Sequence, residues 1–255
     1  MIDGNALAYL LQTKVLPPSD LGTNMQLVLR WIHFLAGITW IGLLYFFNLV
    51  NVPFMKAIDA PTKGKVIPAL LPRALWWFRW GAVITVLAGF VYWILFQLTE
   101  PPLDPGSKLW RTVGLWFAVV VLTWVISYFL VQAPAVAKNG WIFAVLVAFL
   151  VTLMSGGIVH WVTAYDGVSN RVVSIGVGGG IGMIMLLNVW GIIWPAQKRI
   201  IAWTKENAEK GTAIPPESAT LARRAFLASR ANAWLSLPML FFMAAASHYP
   251  LFVGG

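Results

Sequence analysis

Residues 25–52 read MQLVLRWIHFLAGITWIGLLYFFNLVNV, and across this run the only charged side chain is Arg30. A bilayer core about 30 Å thick asks a helix for roughly 20 apolar residues, which the run exceeds. Five further stretches meet the same length, at about 76–99, 111–133, 141–163, 172–194 and 231–249. They are continuous rather than alternating, so their backbone must satisfy its own hydrogen bonds as helix within lipid. Composition agrees: of 255 residues 59% are apolar and 11% charged, with mean hydropathy +0.76. The expected fold is all-α, a polytopic membrane helical bundle of about six transmembrane helices forming one domain over residues 1–255.

Two parts of the chain stand apart. Residues 1–24 read as an interfacial segment and not as a signal peptide, because Lys14 follows the apolar patch and no small-residue cleavage site is evident. Residues 195–230 read as a cytoplasmic loop with short amphipathic helices on either side of the Gly-Thr-Ala-Ile-Pro-Pro break at 211–216.

Basic residues set the orientation. Lys56, Lys63, Lys65, Arg73, Lys138, Lys198, Arg199, Lys205, Lys210, Arg223, Arg224 and Arg230 fall on one side, and Lys14, Lys108, Arg111 and Arg171 on the other. The positive-inside rule then puts both termini outside, in a multi-pass protein of the bacterial inner membrane. Topology therefore explains the net charge of +9. No basic stripe interleaved with aromatics calls for nucleic acid. The absence of cysteine excludes disulfides, thiolate metal sites, cysteine nucleophiles and covalent haem attachment.

All nine acidic residues lie in expected loops or termini, so paired-carboxylate chemistry is excluded from the membrane core. The polar groups left inside include three histidines, and the topology assigns His33, His160 and His248 to the outer half. Gly37 follows His33 by one helical turn, and Gly156 and Gly157 precede His160 by a similar step, leaving surface bare of side chains beside each ring. A flat macrocycle fits such a surface, and neutral imidazole is a haem ligand. On this reading His33 and His160 are axial ligands to a b-type haem, and Arg30 clamps a propionate. The same residues admit a structural role: glycines allow close helix packing, a membrane histidine can hydrogen-bond a neighbouring helix, and Arg30 can anchor at the interface. His248, before Tyr249 and Pro250, also suits an interfacial cap. The run IGVGGGIGMIM at 175–185 lies within a span with no preceding strand, so it reads as close packing rather than dinucleotide binding. Most of the 15 tryptophans read as belt or core, and Asn188 as an interhelical hydrogen bond.

Four separated segments, RWIHFLAGITWIGLLYFFNLVNVPF (30–54), LPRALWWFRWGAVITVLAGFVYW (71–93), IGMIMLLNVWGIIWPAQKRI (181–200) and SRANAWLSLPMLFFMAAASHYP (229–250), together resemble the membrane domain of bacterial membrane-bound urate hydroxylases, the urate oxidase N-terminal domain. The resemblance implies a helical membrane protein that oxidises urate and passes electrons to a cytochrome c domain, with roles for His33 and His248. No Cys-x-x-Cys-His is present, so a cytochrome c-like partner is expected to take the electrons. Two histidines of the family pattern are replaced, by Gly176 in the fifth span and by Ala231 before the sixth. Three readings follow: a haem-dependent oxidoreductase of the urate hydroxylase type, a haem-bearing electron-transfer subunit, and an accessory or scaffold subunit of a larger respiratory or photosynthetic membrane complex.

Overall fold

The computed structural model describes residues 18–99, 103 and 106–252. Among the described residues all regular structure is helical. Helix α1 (Leu21–Tyr45) continues through a π-helical turn, Phe46–Asn51, into Val52–Ala57. Helix α2 (Ala60–Tyr92) ends in a second π-turn, Trp93–Gln97. Helix α3 (Ser107–Gln132) is followed by the short Pro134–Lys138 and by α4 (Gly140–Val162). Helix α5 (Asn170–Asn188) passes through a third π-turn, Val189–Ile193, into α6 (Trp194–Lys210), and α7 (Glu217–His248) completes the bundle.

Local chemistry sets several of these boundaries. Asp20, Asp59, Asn139 and Ser169 stand just before α1, α2, α4 and α5, each accepting a first-turn backbone N–H with its side chain. At Asp59 the bonds from Thr62, helped by the charge of Lys63, hold the carboxyl below its ordinary range. Gly211, at φ 72°, takes the left-handed conformation that ends α6.

Five helical segments are long and apolar enough to cross a bilayer: Leu21–Ala57, Ala60–Gln97, Lys108–Gln132, Gly140–Val162 and Asn170–Lys210. Helix α7 is not among them, because Arg223, Arg224, Arg230, Asn232 and Ser236 dilute its apolar run. Its packing nevertheless carries it across the same layer. It lies antiparallel to α5, with Asn188 Nδ2 donating to Asn232 Oδ1 at 2.8 Å and Asn170 Nδ2 donating to the Ala245 carbonyl at 3.1 Å. Residues 232–248 thus match the height of α5. The architecture is a polytopic bundle with about six crossings.

Helix α5 forms the centre, and its glycines are the reason. A Cβ on Gly178 would lie 3.1 Å from Phe242 Cβ, and one on Gly180 would lie 3.2 Å from Val120 Cγ2. Side chains at these places would push α7 and α3 away. The expected close packing of the 175–185 run is therefore observed. Tryptophans lock the contact by donating to α5: Trp93 Nε1 to the Val172 carbonyl, Trp116 Nε1 to the Gly176 carbonyl, and Trp124 Nε1 to Asn188 Oδ1.

Helices α1 and α2 make a second tight pair along Gly81, Thr85 and Gly89, each one turn from the next. The first of these glycines sits 3.4 Å from the Ala36 carbonyl, measured from its would-be Cβ. Large apolar side chains on the outside of the bundle, Trp31, Phe34 and Ile38 among them, are exposed, as lipid contact requires.

The bundle has a histidine end, where α1 begins and α2, α4 and α7 finish, and a basic end opposite. At 1.5 Å per residue the 37-residue segment Leu21–Ala57 and the 41-residue segment Asn170–Lys210 run to about 55 and 60 Å, well beyond a 30 Å core. Within 195–230 the chain is helical on both sides of the break, and these helices are continuations of the spans: α6 extends α5 beyond its π-turn, and 217–230 is the first half of α7. Of the interfacial segment expected at 1–24, residues 1–17 lie outside the described residues, and Leu21–Asn24 already form the first turn of α1.

Candidate functional site

The seam between α1 and α2 at the histidine end gathers polar groups in an otherwise apolar region. His33 projects from α1 onto Gly89, where a Cβ would stand only 2.8 Å from the ring. Gly89 thus provides the space that lets the imidazole reach the α2 backbone, and Nδ1 sits 2.8 Å from the Thr85 carbonyl. A carbonyl can only accept, so Nδ1 carries a proton, and in the neutral ring Nε2 carries the lone pair. Nε2 has no hydrogen-bond partner among the described residues. Such a ring is held and oriented by one nitrogen and free to bind through the other, the arrangement that backbone carbonyls impose on metal-ligating histidines.

One turn nearer the end, Arg30 donates to the Tyr92 hydroxyl through Nε at 3.1 Å and Nη2 at 2.5 Å. Its guanidinium also lies 5.1 Å from the centre of the Tyr92 ring. Gln97 Nε2 reaches the same hydroxyl at 3.3 Å, while Gln97 Oε1 is buried without a partner among the described residues. Arg30, Tyr92, Gln97, His33 and Thr85 form one polar patch between two helices. The sequence reading missed the α2 contributors; a tyrosine and a glutamine in the apolar stretch FVYWILFQ were the signal that could have found them.

The other expected residues are not drawn into this patch. Gly37 faces α2, where a Cβ would meet Thr85 Cγ2 at 3.6 Å, so it serves helix packing. His160 and His248 are exposed. Gly157 opens onto free surface, with nothing within 4 Å of a would-be Cβ. Helix α4 packs on α3, α5 and α7, and α1 on α2 and α7, so His33 and His160 belong to different helix neighbourhoods. No cluster of three metal-ligating side chains occurs among the described residues. The fit to a haem is therefore one-sided: His33 Nε2 can supply one axial bond, and Arg30 is already engaged by Tyr92.

At the two positions where the resemblance implies histidine, Gly176 and Ala231 take up structural roles. A Cβ on Gly176 would lie 3.4 Å from Trp93 Cζ2 and 3.6 Å from Ile158 Cγ2, so indole and isoleucine fill the space beside it. Ala231 packs against the core.

Toward the basic end the bundle holds a cation that the tally of loop charges passed over. Arg79, inside the second span, stacks its guanidinium 3.8 Å from the centre of the Trp194 ring and 5.8 Å from that of Trp190. Indole faces replace the carboxylate that this part of the membrane lacks. A cavity of about 110 Å³ lined by Asn48, Asn51, Gln197 and Ser229 among phenylalanines lies between the π-turn of α1 and helices α2, α6 and α7. A second cavity, of about 140 Å³, lies between α3, α6 and α7.

No curated protein and no solved structure matches the chain. The profile of the family described as Urate oxidase N-terminal matches residues 57–255. That span contains α2 to α7, with Tyr92, Gln97, His160 and His248, and begins after Arg30 and His33. It covers more than three quarters of the sequence, and the chain belongs to the urate oxidase N-terminal family.

Proposed function

We propose that this chain is a membrane-embedded redox protein of the bacterial inner membrane that holds a b-type haem through His33 near the outer leaflet and exchanges electrons with a cytochrome c-like partner. The observation that carries the reading is the His33 ring, with Nδ1–H fixed on the Thr85 carbonyl and Nε2 without a partner among the described residues. A bound haem supplies one-electron exchange at its iron. The chain's own part is to orient the imidazole through Thr85, to make room for it with Gly89, and to keep the Arg30 charge one turn away on Tyr92. Family membership makes urate the first reductant to try.

A reduced-minus-oxidised absorption spectrum of the purified chain tests this. The wild type is expected to show b-type bands, and His33→Ala is expected to lose or shift the Soret band while the far-ultraviolet helical signal persists. A wild type without haem, or a His33→Ala spectrum equal to wild type, sinks the assignment. With haem present, urate is expected to reduce an added cytochrome c only when the chain is there.

A second reading, an accessory or scaffold subunit of a larger respiratory or photosynthetic complex, draws support from Arg30 and Gly37. Both are absorbed into the α1–α2 contact. A haem-free wild type that remains folded would favour it.

A further inference from the structure

The cavity between α3, α6 and α7 has a polar wall of one sign. Tyr128 and Gln132 come from α3, Arg199 from α6 and Arg224 from α7, with Ile192 and Leu221 supplying apolar surface. The two arginines are differently placed. Arg199 pairs with Glu217 and lies 4.9 Å from the centre of the Trp203 ring. Arg224 donates no hydrogen bond to any described residue, whereas its neighbour Arg223 is engaged by the carbonyls of Ala137 and Lys138, at 3.0 and 3.3 Å. The nearby carboxylates Glu206 and Glu209 pair with Lys210 and Lys205. The cavity wall therefore keeps an uncompensated positive charge, together with a hydroxyl and an amide able to donate.

The height of the cavity selects the ligand. The apolar spans end near 133 on α3 and 194 on α5, and the last begins near 231 on α7. Tyr128 to Gln132, Arg199 and Arg224 thus lie around the level at which hydrocarbon gives way to headgroups. Phosphate diesters are the abundant anions there, and guanidinium groups bind them through paired hydrogen bonds. Basic pockets between transmembrane helices on the cytoplasmic side bind anionic headgroups in this way. We propose that this cavity is a binding site for a phosphate group, supplied by an anionic phospholipid of the adjoining leaflet, with Arg224 and Arg199 on the phosphate and Leu221 and Ile192 against the glycerol and upper acyl chain.

The test uses the full chain in phosphatidylcholine nanodiscs, with or without a minor fraction of phosphatidylglycerol. Phosphatidylglycerol retained through detergent washing is counted by mass spectrometry, and thermal unfolding is followed by tryptophan fluorescence. Wild type is expected to retain phosphatidylglycerol and to melt higher in its presence. Arg224→Gln is expected to retain about fivefold less, the fold-change equivalent to ~1 kcal/mol for one basic residue at an anionic surface. Leu221→Trp, which fills the cavity without altering charge, is expected to lose retention as well. Lys205→Gln, which removes the same charge outside the cavity, is expected to retain the lipid. Wild-type retention in both Arg224→Gln and Leu221→Trp overturns the site. Equal stabilisation by inorganic phosphate in pure phosphatidylcholine overturns the lipid as its source. None of these readouts requires haem, so their outcome is separate from the test of His33.

Discussion

His33 shows how little a residue type says without its neighbours. In sequence it is a histidine one turn from Gly37, and that glycine suggested an open shelf. In the fold Gly37 faces Thr85, and the glycine that matters is Gly89 on the other helix. Gly89→Ala places a methyl carbon 2.8 Å from the ring, so the imidazole must shift from its place on the Thr85 carbonyl. A destabilisation of about 1–3 kcal/mol is expected from such overpacking. His33→Ala alone removes one interhelical hydrogen bond, worth ~0.6 kcal/mol between membrane helices. Combining the two removes the clash, so the double variant should be more stable than the sum of the singles predicts. Strict additivity in thermal or denaturant unfolding would show that His33 does not occupy the Gly89 notch.

Helix α7 crosses the layer because of its partner rather than its own apolarity. Asn232 is fully buried; it accepts from Asn188 Nδ2 and donates to the Met185 carbonyl at 2.9 Å. Trp124 completes the chain at Asn188 Oδ1. These bonds join α3, α5 and α7 at one height, where the hydropathy of α7 alone is too low to mark a span. Asn232→Leu leaves the Asn188 amide without its acceptor and is expected to cost about 1–3 kcal/mol. Replacing both asparagines by leucine should cost less than the two singles together, because the Asn188 amide donor goes with its acceptor and only Trp124 Nε1 is then left unpaired. A melting temperature for Asn232→Leu equal to wild type would detach α7 from this network.

Across the whole molecule, the histidines lie at one end and most of the basic residues at the other. The chain contains no cysteine, so single cysteines report its sidedness cleanly. Asp166 lies at the histidine end, between α4 and α5, and Ala213 in the break between α6 and α7; both are exposed. In intact cells Asp166→Cys is expected to react with a membrane-impermeant maleimide, and Ala213→Cys only after permeabilisation. The reverse pattern would invert the orientation. It would also move His33 to the cytoplasmic leaflet, away from the proposed cytochrome c-like partner.

The sequence by itself determined the membrane class, the helical fold and the approximate number of crossings, since the backbone's need for hydrogen bonds in lipid leaves long apolar runs no other form. It also determined the polarity of the charges, because basic residues cluster in particular loops. The glycine run was legible as close packing for the same kind of reason: a span dense in glycine has a bare surface wherever it faces. Tertiary structure alone decided which groups meet. Thr85 receives His33 through a backbone carbonyl, which any residue carries, so no side-chain pattern could announce it. Tyr92 reaches Arg30 from another helix, with Gln97 donating to the same hydroxyl, and Arg79 finds Trp194 far along the chain. Periodicity fixes a residue's face on its own helix, but the rotation and height of one helix against another are set by small-residue contacts such as Gly81 and Gly89, and these exist only once both helices are packed.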